Sequence, residues 1–140
     1  MRHTLAYLDS SALAKYFLHE PELPHLVQRV GRVSRAATSI IAMVEVPRAV
    51  ARRGDAVHQG DIRRRVGRLT LVAVDRTLAA VAAAVGPPGL RSLDAIHLAS
   101  ALELGPELDA FLTYDRRLAI AARDLGLPVE SPGADIWASP

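Results

Sequence analysis

The chain has 140 residues, of which 50% are hydrophobic and 23% are charged, and its formal net charge at pH 7 is +2. This composition is typical of one globular domain and excludes a disordered or low-complexity protein. The absence of cysteine excludes disulfides and thiolate metal sites, so any metal would be held by oxygen or imidazole groups.

Neither a signal peptide nor a membrane span is predicted. Met1 to Leu8 lacks the long apolar stretch and small-residue cleavage site of a signal peptide, and Gly86-Pro87-Pro88-Gly89 interrupts the longest uncharged run. We therefore expect a soluble cytoplasmic protein that forms a single domain over residues 1–140. Lys15 is the single lysine, so arginine supplies nearly all of the 17 basic side chains. Arginine suits phosphate partners, but a GC-rich genome produces the same bias, and charge alone identifies no partner.

Short apolar strands alternate with helices along the whole chain. Helix N-caps are expected at Ser10-Ser11, Ser39, Asp75 and Ser92. In chain order the pattern predicts a strand at 5–8, helices at 12–18 and 22–30, a strand at 36–38, helices at 40–53 and 55–69, a strand at 71–74, helices at 77–85 and 93–104, a strand at 111–113, a helix at 116–125 and a strand at 128–130.

This alternation predicts the fold class. Strands that are apolar on both faces and separated by helices form parallel sheets covered on both sides. The expected architecture is α/β with three layers, α/β/α, around a short, mostly parallel sheet of about five strands.

Four acidic residues stand where this fold would bring them to one edge of the sheet. Asp9 follows the first strand and Asp115 follows the fourth, and ligands bind at the carboxyl ends of parallel strands. Asp94 lies in the first turn of its helix, where the chain approaches the same edge. Glu45 lies in the otherwise apolar stretch 40–46, where an unpartnered carboxylate is costly.

Each acid taken singly has a structural explanation. Asp9 and Asp115 are possible caps of the helices that follow them, Asp94 complements a helix dipole, and Glu45 can pair with Arg48 one turn later. Four carboxylates at one edge repel one another unless a cation compensates them. Oxygen-only ligation suits Mg²⁺ or Mn²⁺.

Several other chemistries are excluded by the motifs that the chain lacks. It has no GxxxxGK[ST] phosphate loop, no GxGxxG after a strand, no GxSxG elbow and no HExxH zinc motif. Asp9-Ser10-Ser11 also lacks the second aspartate that an aspartyl-phosphate phosphatase needs.

Four segments together resemble a known family. They are LDSSAL around Asp9, TSIIAMVEVPRA around Glu45, RSLDAIHLASAL around Asp94 and LTYDRRLAIAA around Asp115. The chain resembles the PIN-domain nucleases over essentially its whole length, and most closely the VapC-type toxins of type II toxin/antitoxin systems. The resemblance implies that the four acids are the metal-binding quartet and that the metal is Mg²⁺, for which Mn²⁺ substitutes.

Further residues match the pattern around this quartet. Ser10 and Thr113 match small polar residues expected to orient carboxylates or a water. Arg48 matches an arginine that supports the site or contacts phosphate, and an ordinary helical ion pair explains it equally well. His97 lies on the helical face of Asp94, and we expect a packed, hydrogen-bonded histidine rather than a catalytic one. The basic run 63–68 can follow an RNA backbone, although a solvated helix face is the simpler explanation.

The resemblance implies a ribonuclease that cleaves phosphodiester bonds of tRNA or rRNA and leaves 5'-phosphate and 3'-hydroxyl ends. It also implies inhibition by a cognate antitoxin protein and a homodimer. A metal-bound carboxylate site does not itself exclude DNA, so a structure-specific DNA nuclease of the same fold is an alternative. The other alternative is a non-catalytic binding module in which the acids serve only as caps.

Overall fold

A computed structural model describes residues 4–54 and 58–138, which form five strands and seven α-helices. A short 3-10 turn, Gly105–Glu107, precedes the fourth strand. The elements are β1 (Leu5–Leu8), α1 (Ser10–Leu18), α2 (Leu23–Val30), β2 (Arg35–Ser39), α3 (Ala42–Arg52), α4 (Gln59–Gly67), β3 (Thr70–Val72), α5 (Arg76–Ala84), α6 (Ser92–Glu103), β4 (Leu108–Leu112), α7 (Arg116–Asp124) and β5 (Val129–Glu130).

The five strands form one sheet in the order β3-β2-β1-β4-β5, and every neighbouring pair is parallel. All four residues of β1 are buried, as expected for the central strand of a sheet covered on both faces. The predicted α/β class with a five-stranded parallel sheet is confirmed.

Alternate side chains of β1 point to opposite faces of the sheet and enter two different cores. Ala6 and Leu8 pack with buried residues of α1, α2, α3 and α4. Tyr7 packs on the other face with residues of α6 and α7. Each large apolar side chain that is fully buried contributes roughly 1.5–3 kcal/mol to stability, so the two cores fix the sheet between two helical layers.

The strand order reverses beside β1. From β1 the chain proceeds to β2 and β3 on one side, and then returns to place β4 and β5 on the other side. In open α/β sheets the crevice at such a reversal, outside the carboxyl ends of the strands, is the usual binding site. The ends of β1 and β4 therefore mark the edge where a functional site is expected.

Three of the helices, α1, α5 and α7, begin at an aspartate whose side chain caps the helix. The carboxylate of Asp9 accepts the Ala12 N–H at 2.9 Å and caps α1, so the predicted cap at Ser10-Ser11 is wrong by one residue. Asp75 accepts the Leu78 N–H at 2.8 Å and caps α5, as predicted.

The two other predicted serine caps are wrong. Ser39 is the last residue of β2, and its hydroxyl accepts the Ile41 N–H at 3.2 Å in the turn before α3. Ser92 is the first residue of α6, and Arg91 occupies the N-cap position without a side-chain cap bond.

Strand pairing explains where the strand boundaries differ from the prediction. β3 ends at Val72, two residues early, because its partner β2 ends at Ser39. β4 begins at Leu108 because it pairs along the whole of β1 from Leu5. The first residues of the helix predicted at 55–69 lie outside the described residues, and α4 covers the part from Gln59 to Gly67. No helix in the described ranges has the length and apolar character that a membrane crossing requires.

Candidate active site

A cleft of about 570 Å³ opens at the carboxyl ends of the strands, between α1, α3 and α6. The predicted convergence of the acids on one edge of the sheet is confirmed. The cleft is lined by all four of them, Asp9, Glu45, Asp94 and Asp115.

Asp9 is held rigidly at the base of the cleft. Its Oδ1 accepts hydrogen bonds from Ser11 Oγ at 2.6 Å and from the Ala12 N–H, and its Oδ2 accepts from Thr113 Oγ1 at 2.5 Å. Burial raises the pKa of Asp9 above its usual value, although His97 and these hydrogen bonds act in the opposite direction. The carboxylate therefore caps α1 and lines the cleft at the same time.

Glu45 is fixed through one of its two oxygens. Ser10 Oγ donates to its Oε1 at 2.6 Å, and Nε2 of His97 lies 2.7 Å from the same oxygen. Burial acts to raise the pKa of Glu45, but the hydrogen bonds from His97 and Ser10 outweigh it, and the pKa lies below its ordinary value. Glu45 is therefore a carboxylate at neutral pH.

The supporting residues predicted from the sequence have distinct positions. Thr113 is fully buried and contacts Asp9, whereas Ser10 contacts Glu45, although it follows Asp9 directly in the chain. Arg48 is exposed in the cleft wall. In the part of the chain that the structure describes, Glu45 and Arg48 do not form the ion pair that the sequence suggested.

Arg91 joins the other two acids. Its Nε lies 3.1 Å from Asp94 Oδ2, and its Nη2 lies 3.1 Å from Asp115 Oδ2. The remaining oxygen of Asp115 accepts the Arg117 N–H at 2.9 Å and so caps α7. The guanidinium of Arg91 supplies the positive charge that two neighbouring carboxylates need.

Sequence reasoning missed the roles of two residues of this cleft, Ser11 and Arg91. The sequence predicts Ser11 only as part of a cap, yet its hydroxyl donates to Asp9 and accepts the Tyr114 N–H at 2.9 Å. Arg91 begins the RSLDAIHLASAL segment, and its spacing of three residues before Asp94 was the available signal. The expectation for His97 is confirmed, since it is 1% exposed and hydrogen-bonded, with Glu45 and Tyr7 as partners.

The donor set fits a hard divalent cation. The acids present carboxylate oxygens, which Mg²⁺ and Mn²⁺ prefer. Within the described ranges, no group of three or more Asp, Glu or His side chains stands close enough to hold a metal ion together. Mg²⁺ often binds through one or two carboxylates and retains several waters, so an open cleft with separated acids suits it.

The sequence model of the PIN domain family matches residues 6–124. The chain belongs to the PIN-domain family. Within this family the chain is similar to a curated VapC protein, Ribonuclease VapC47 of Mycobacterium tuberculosis (strain CDC 1551 / Oshkosh). The two are 40% identical over 134 residues, which cover 93% of this chain and 98% of that protein.

Solved structures agree with the PIN fold. The crystal structure of VapC20 of Mycobacterium tuberculosis, described as a Sarcin-Ricin loop cleaving toxin, aligns with a TM-score of 0.64 at 15% identity. The alignment covers 83% of this chain and 94% of the VapC20 chain. A chain of a toxin-antitoxin complex from Klebsiella pneumoniae aligns with a TM-score of 0.61 at 20% identity. The alignment covers 80% of this chain and 88% of that chain. At 15% and 20% sequence identity, these two structures show a similarity of fold and nothing further.

Proposed function

We propose that this PIN-domain chain is a Mg²⁺-dependent endoribonuclease, the toxin of a toxin/antitoxin pair. The observation that carries the proposal is the placement of Asp9, Glu45, Asp94 and Asp115 around one cleft at the reversal of strand order. Similarity over nearly the whole chain to a protein named a ribonuclease supports the choice of RNA. The substrates are tRNA or rRNA, and the enzyme acts in the cytoplasm, where these RNAs occur.

Asp9, Glu45, Asp94 and Asp115 are the residues that would hold the cation, directly or through its bound waters, with Mn²⁺ as a substitute for Mg²⁺. Such a cation, when bound, supplies the activation of water and the stabilisation of charge that develops on the phosphate. Asp9 contributes an oxygen whose direction is fixed by Ser11 and Thr113. Glu45 contributes an oxygen, Oε2, that carries none of the hydrogen bonds made within the described residues.

The cleft also has the charges that a nucleic-acid backbone requires. Arg48 and Arg52 lie on α3 one turn apart, and both line the cleft. Their guanidinium groups are suited to contact the phosphates on either side of the bond that is cut. Water would form the new bond to phosphorus while the P–O3' bond breaks and O3' takes up a proton, which leaves a 5'-phosphate on one product and a 3'-hydroxyl on the other.

The proposed partners are a cognate antitoxin and a second copy of the chain. The likeness to a structure titled a toxin-antitoxin complex supports the antitoxin. An antitoxin that covers the acidic cleft would inhibit cleavage, and a basic side chain directed at the carboxylates would do so most effectively.

One observation favours a purely structural role for two of the acids. Asp9 and Asp115 both cap helices, and capping alone would place them where they are. Substitution with asparagine separates the two roles, because asparagine caps a helix as well as aspartate does but carries no charge. Asp75 provides the matched control, since it caps α5 and does not line the cleft.

The test is cleavage of a mixed tRNA and rRNA pool by antitoxin-free protein with Mg²⁺ or Mn²⁺. We expect discrete cuts that disappear with EDTA and in Asp9→Asn and Asp94→Asn, while Asp75→Asn cuts like the wild type. Cuts that persist in both cleft variants would contradict the assignment of the site. A folded wild type that cuts branched DNA but no RNA would instead support a DNA nuclease.

A further inference from the structure

Two buried polar side chains, Tyr7 behind the cleft and His97 in its wall, have no part in the proposed reaction. Tyr7 is 0% exposed and His97 is 1% exposed. The Tyr7 hydroxyl lies 2.7 Å from Nδ1 of His97, and Nε2 of the same ring lies 2.7 Å from Glu45 Oε1. A continuous line of hydrogen bonds therefore runs from the central strand to an acid of the cleft.

The partners of the imidazole determine which nitrogen carries the proton. A phenol is protonated at neutral pH, so the Tyr7 hydroxyl can donate its hydrogen to Nδ1, 2.7 Å away. Nε2 then carries the hydrogen that His97 donates to Glu45. The opposite tautomer would set the lone pair of Nε2 against a carboxylate oxygen at 2.7 Å, which is repulsive.

Packing alone does not require these groups. A buried hydroxyl and a buried imidazole are costly to desolvate, whereas apolar residues of similar size fill a core without that cost. Tyr7 already stacks on Phe111, with ring centroids 5.4 Å apart, and a phenylalanine would make the same contact. The Tyr7 hydroxyl and the His97 ring nitrogens instead form a hydrogen-bonded chain that ends at Glu45.

We propose that His97, with its tautomer set by Tyr7, is a positioning residue that fixes Glu45 for binding a divalent cation in the cleft. The inference rests on the proposed function. His97 Nε2 and Ser10 Oγ, which lie 3.3 Å apart, both hydrogen-bond to Oε1, which limits rotation of the carboxylate and leaves Oε2 available as a ligand. Partners of this kind around a metal ligand typically change metal affinity 10- to 100-fold when they are removed.

The test is binding of Mn²⁺ alone to the full chain without antitoxin, measured by calorimetry, for Tyr7→Phe, His97→Leu and His97→Gln. We expect His97→Leu to weaken binding about 10-fold or more and Tyr7→Phe to weaken it by a smaller factor. Glutamine can place an amide N–H near the position of Nε2, so His97→Gln should restore most of the affinity. Tyr16→Phe is the control, since Tyr16 does not line the cleft.

Two further measurements separate positioning from packing. Imidazole ¹⁵N spectra of the metal-free protein should show the Nε2–H tautomer of His97 in the wild type and a mixture in Tyr7→Phe. In RNA cleavage kcat should fall in His97→Leu while KM stays within about twofold, because the arginines of the cleft wall are unchanged.

Mn²⁺ affinity that is unchanged in folded Tyr7→Phe and His97→Leu would overturn the inference, and so would equal loss in the glutamine and leucine variants. If His97→Leu does not fold, Tyr7→Phe and His97→Gln still decide. A wild type that binds Mn²⁺ with the expected variant order but cuts no RNA would support the positioning role and overturn the ribonuclease.

Discussion

Arg91 places one positive charge between two carboxylates of the cleft. Its guanidinium nitrogens lie 3.1 Å from both Asp94 and Asp115, and its side chain is 69% exposed. A divalent cation that used these carboxylates would compete with the guanidinium for the same oxygens. Arg91 and the metal are therefore expected to oppose each other.

Replacing Arg91 should strengthen metal binding. Exposed ion pairs contribute about 0.2–1 kcal/mol, so Arg91→Gln should bind Mn²⁺ roughly 1.4- to fivefold more tightly than the wild type. Calorimetric titration at low ionic strength measures the change, and added salt should reduce it. Arg76→Gln, outside the cleft, is the control. Weaker binding in Arg91→Gln would mean that Arg91 assists the metal.

The raised pKa of Asp9 makes stability depend on pH. The folded protein holds this proton more tightly than the unfolded chain, so ionisation of Asp9 lowers the free energy of unfolding as pH rises above about 3.9, the ordinary aspartate pKa. In EDTA, the stability of Asp9→Asn relative to the wild type should increase between pH 4 and pH 7. Urea unfolding at both values measures it, and a constant difference would contradict the raised pKa.

At the scale of the secondary-structure elements, the helices with an aspartate N-cap allow the effect of a cap on stability to be distinguished from the effect of a cleft carboxylate on RNA cleavage. Asp75 at the start of α5 and Asp9 at the start of α1 accept the same type of backbone hydrogen bond. Asp75→Ala should lower the free energy of unfolding by about 1 kcal/mol, the usual effect of losing an N-cap, and leave RNA cleavage unchanged. Thermal unfolding measures the change in stability, and a cleavage assay measures the activity. Loss of cleavage in this folded variant would mean that the activity does not depend on the cleft carboxylates alone.

Element types and the acidic positions followed from sequence because both depend on local patterns. Asp9 follows β1 directly and Asp115 comes three positions after the end of β4, and parallel strands bring their carboxyl ends to one edge. The contacts between elements did not follow. Nothing local indicates that Ser10 turns to Glu45 while Ser11 turns to Asp9, or that Tyr7 meets His97, which is 90 positions away.

At the scale of the whole molecule, the basic wall of the cleft should determine how RNA binding responds to salt. Arg48→Gln or Arg52→Gln should each lower the slope of log affinity against log salt by about 0.7–1, and weaken binding similarly for different sequences. Fluorescence anisotropy with a labelled RNA in EDTA, where no cleavage occurs, measures the slope. Arg76→Gln should leave it unchanged, and an unchanged slope in the cleft variants would place the RNA elsewhere.

The central claim is that the carboxylates of the cleft support metal-dependent RNA cleavage and are more than helix caps. The most direct measurement is the single-turnover cleavage rate of one susceptible RNA at saturating Mg²⁺ for the wild type, Asp9→Asn and Asp75→Asn, with folding checked by circular dichroism. We predict a loss of at least about 100-fold in Asp9→Asn and none in Asp75→Asn, because both keep a cap but only one loses a carboxylate of the cleft. Equal rates in all three folded proteins would contradict the account.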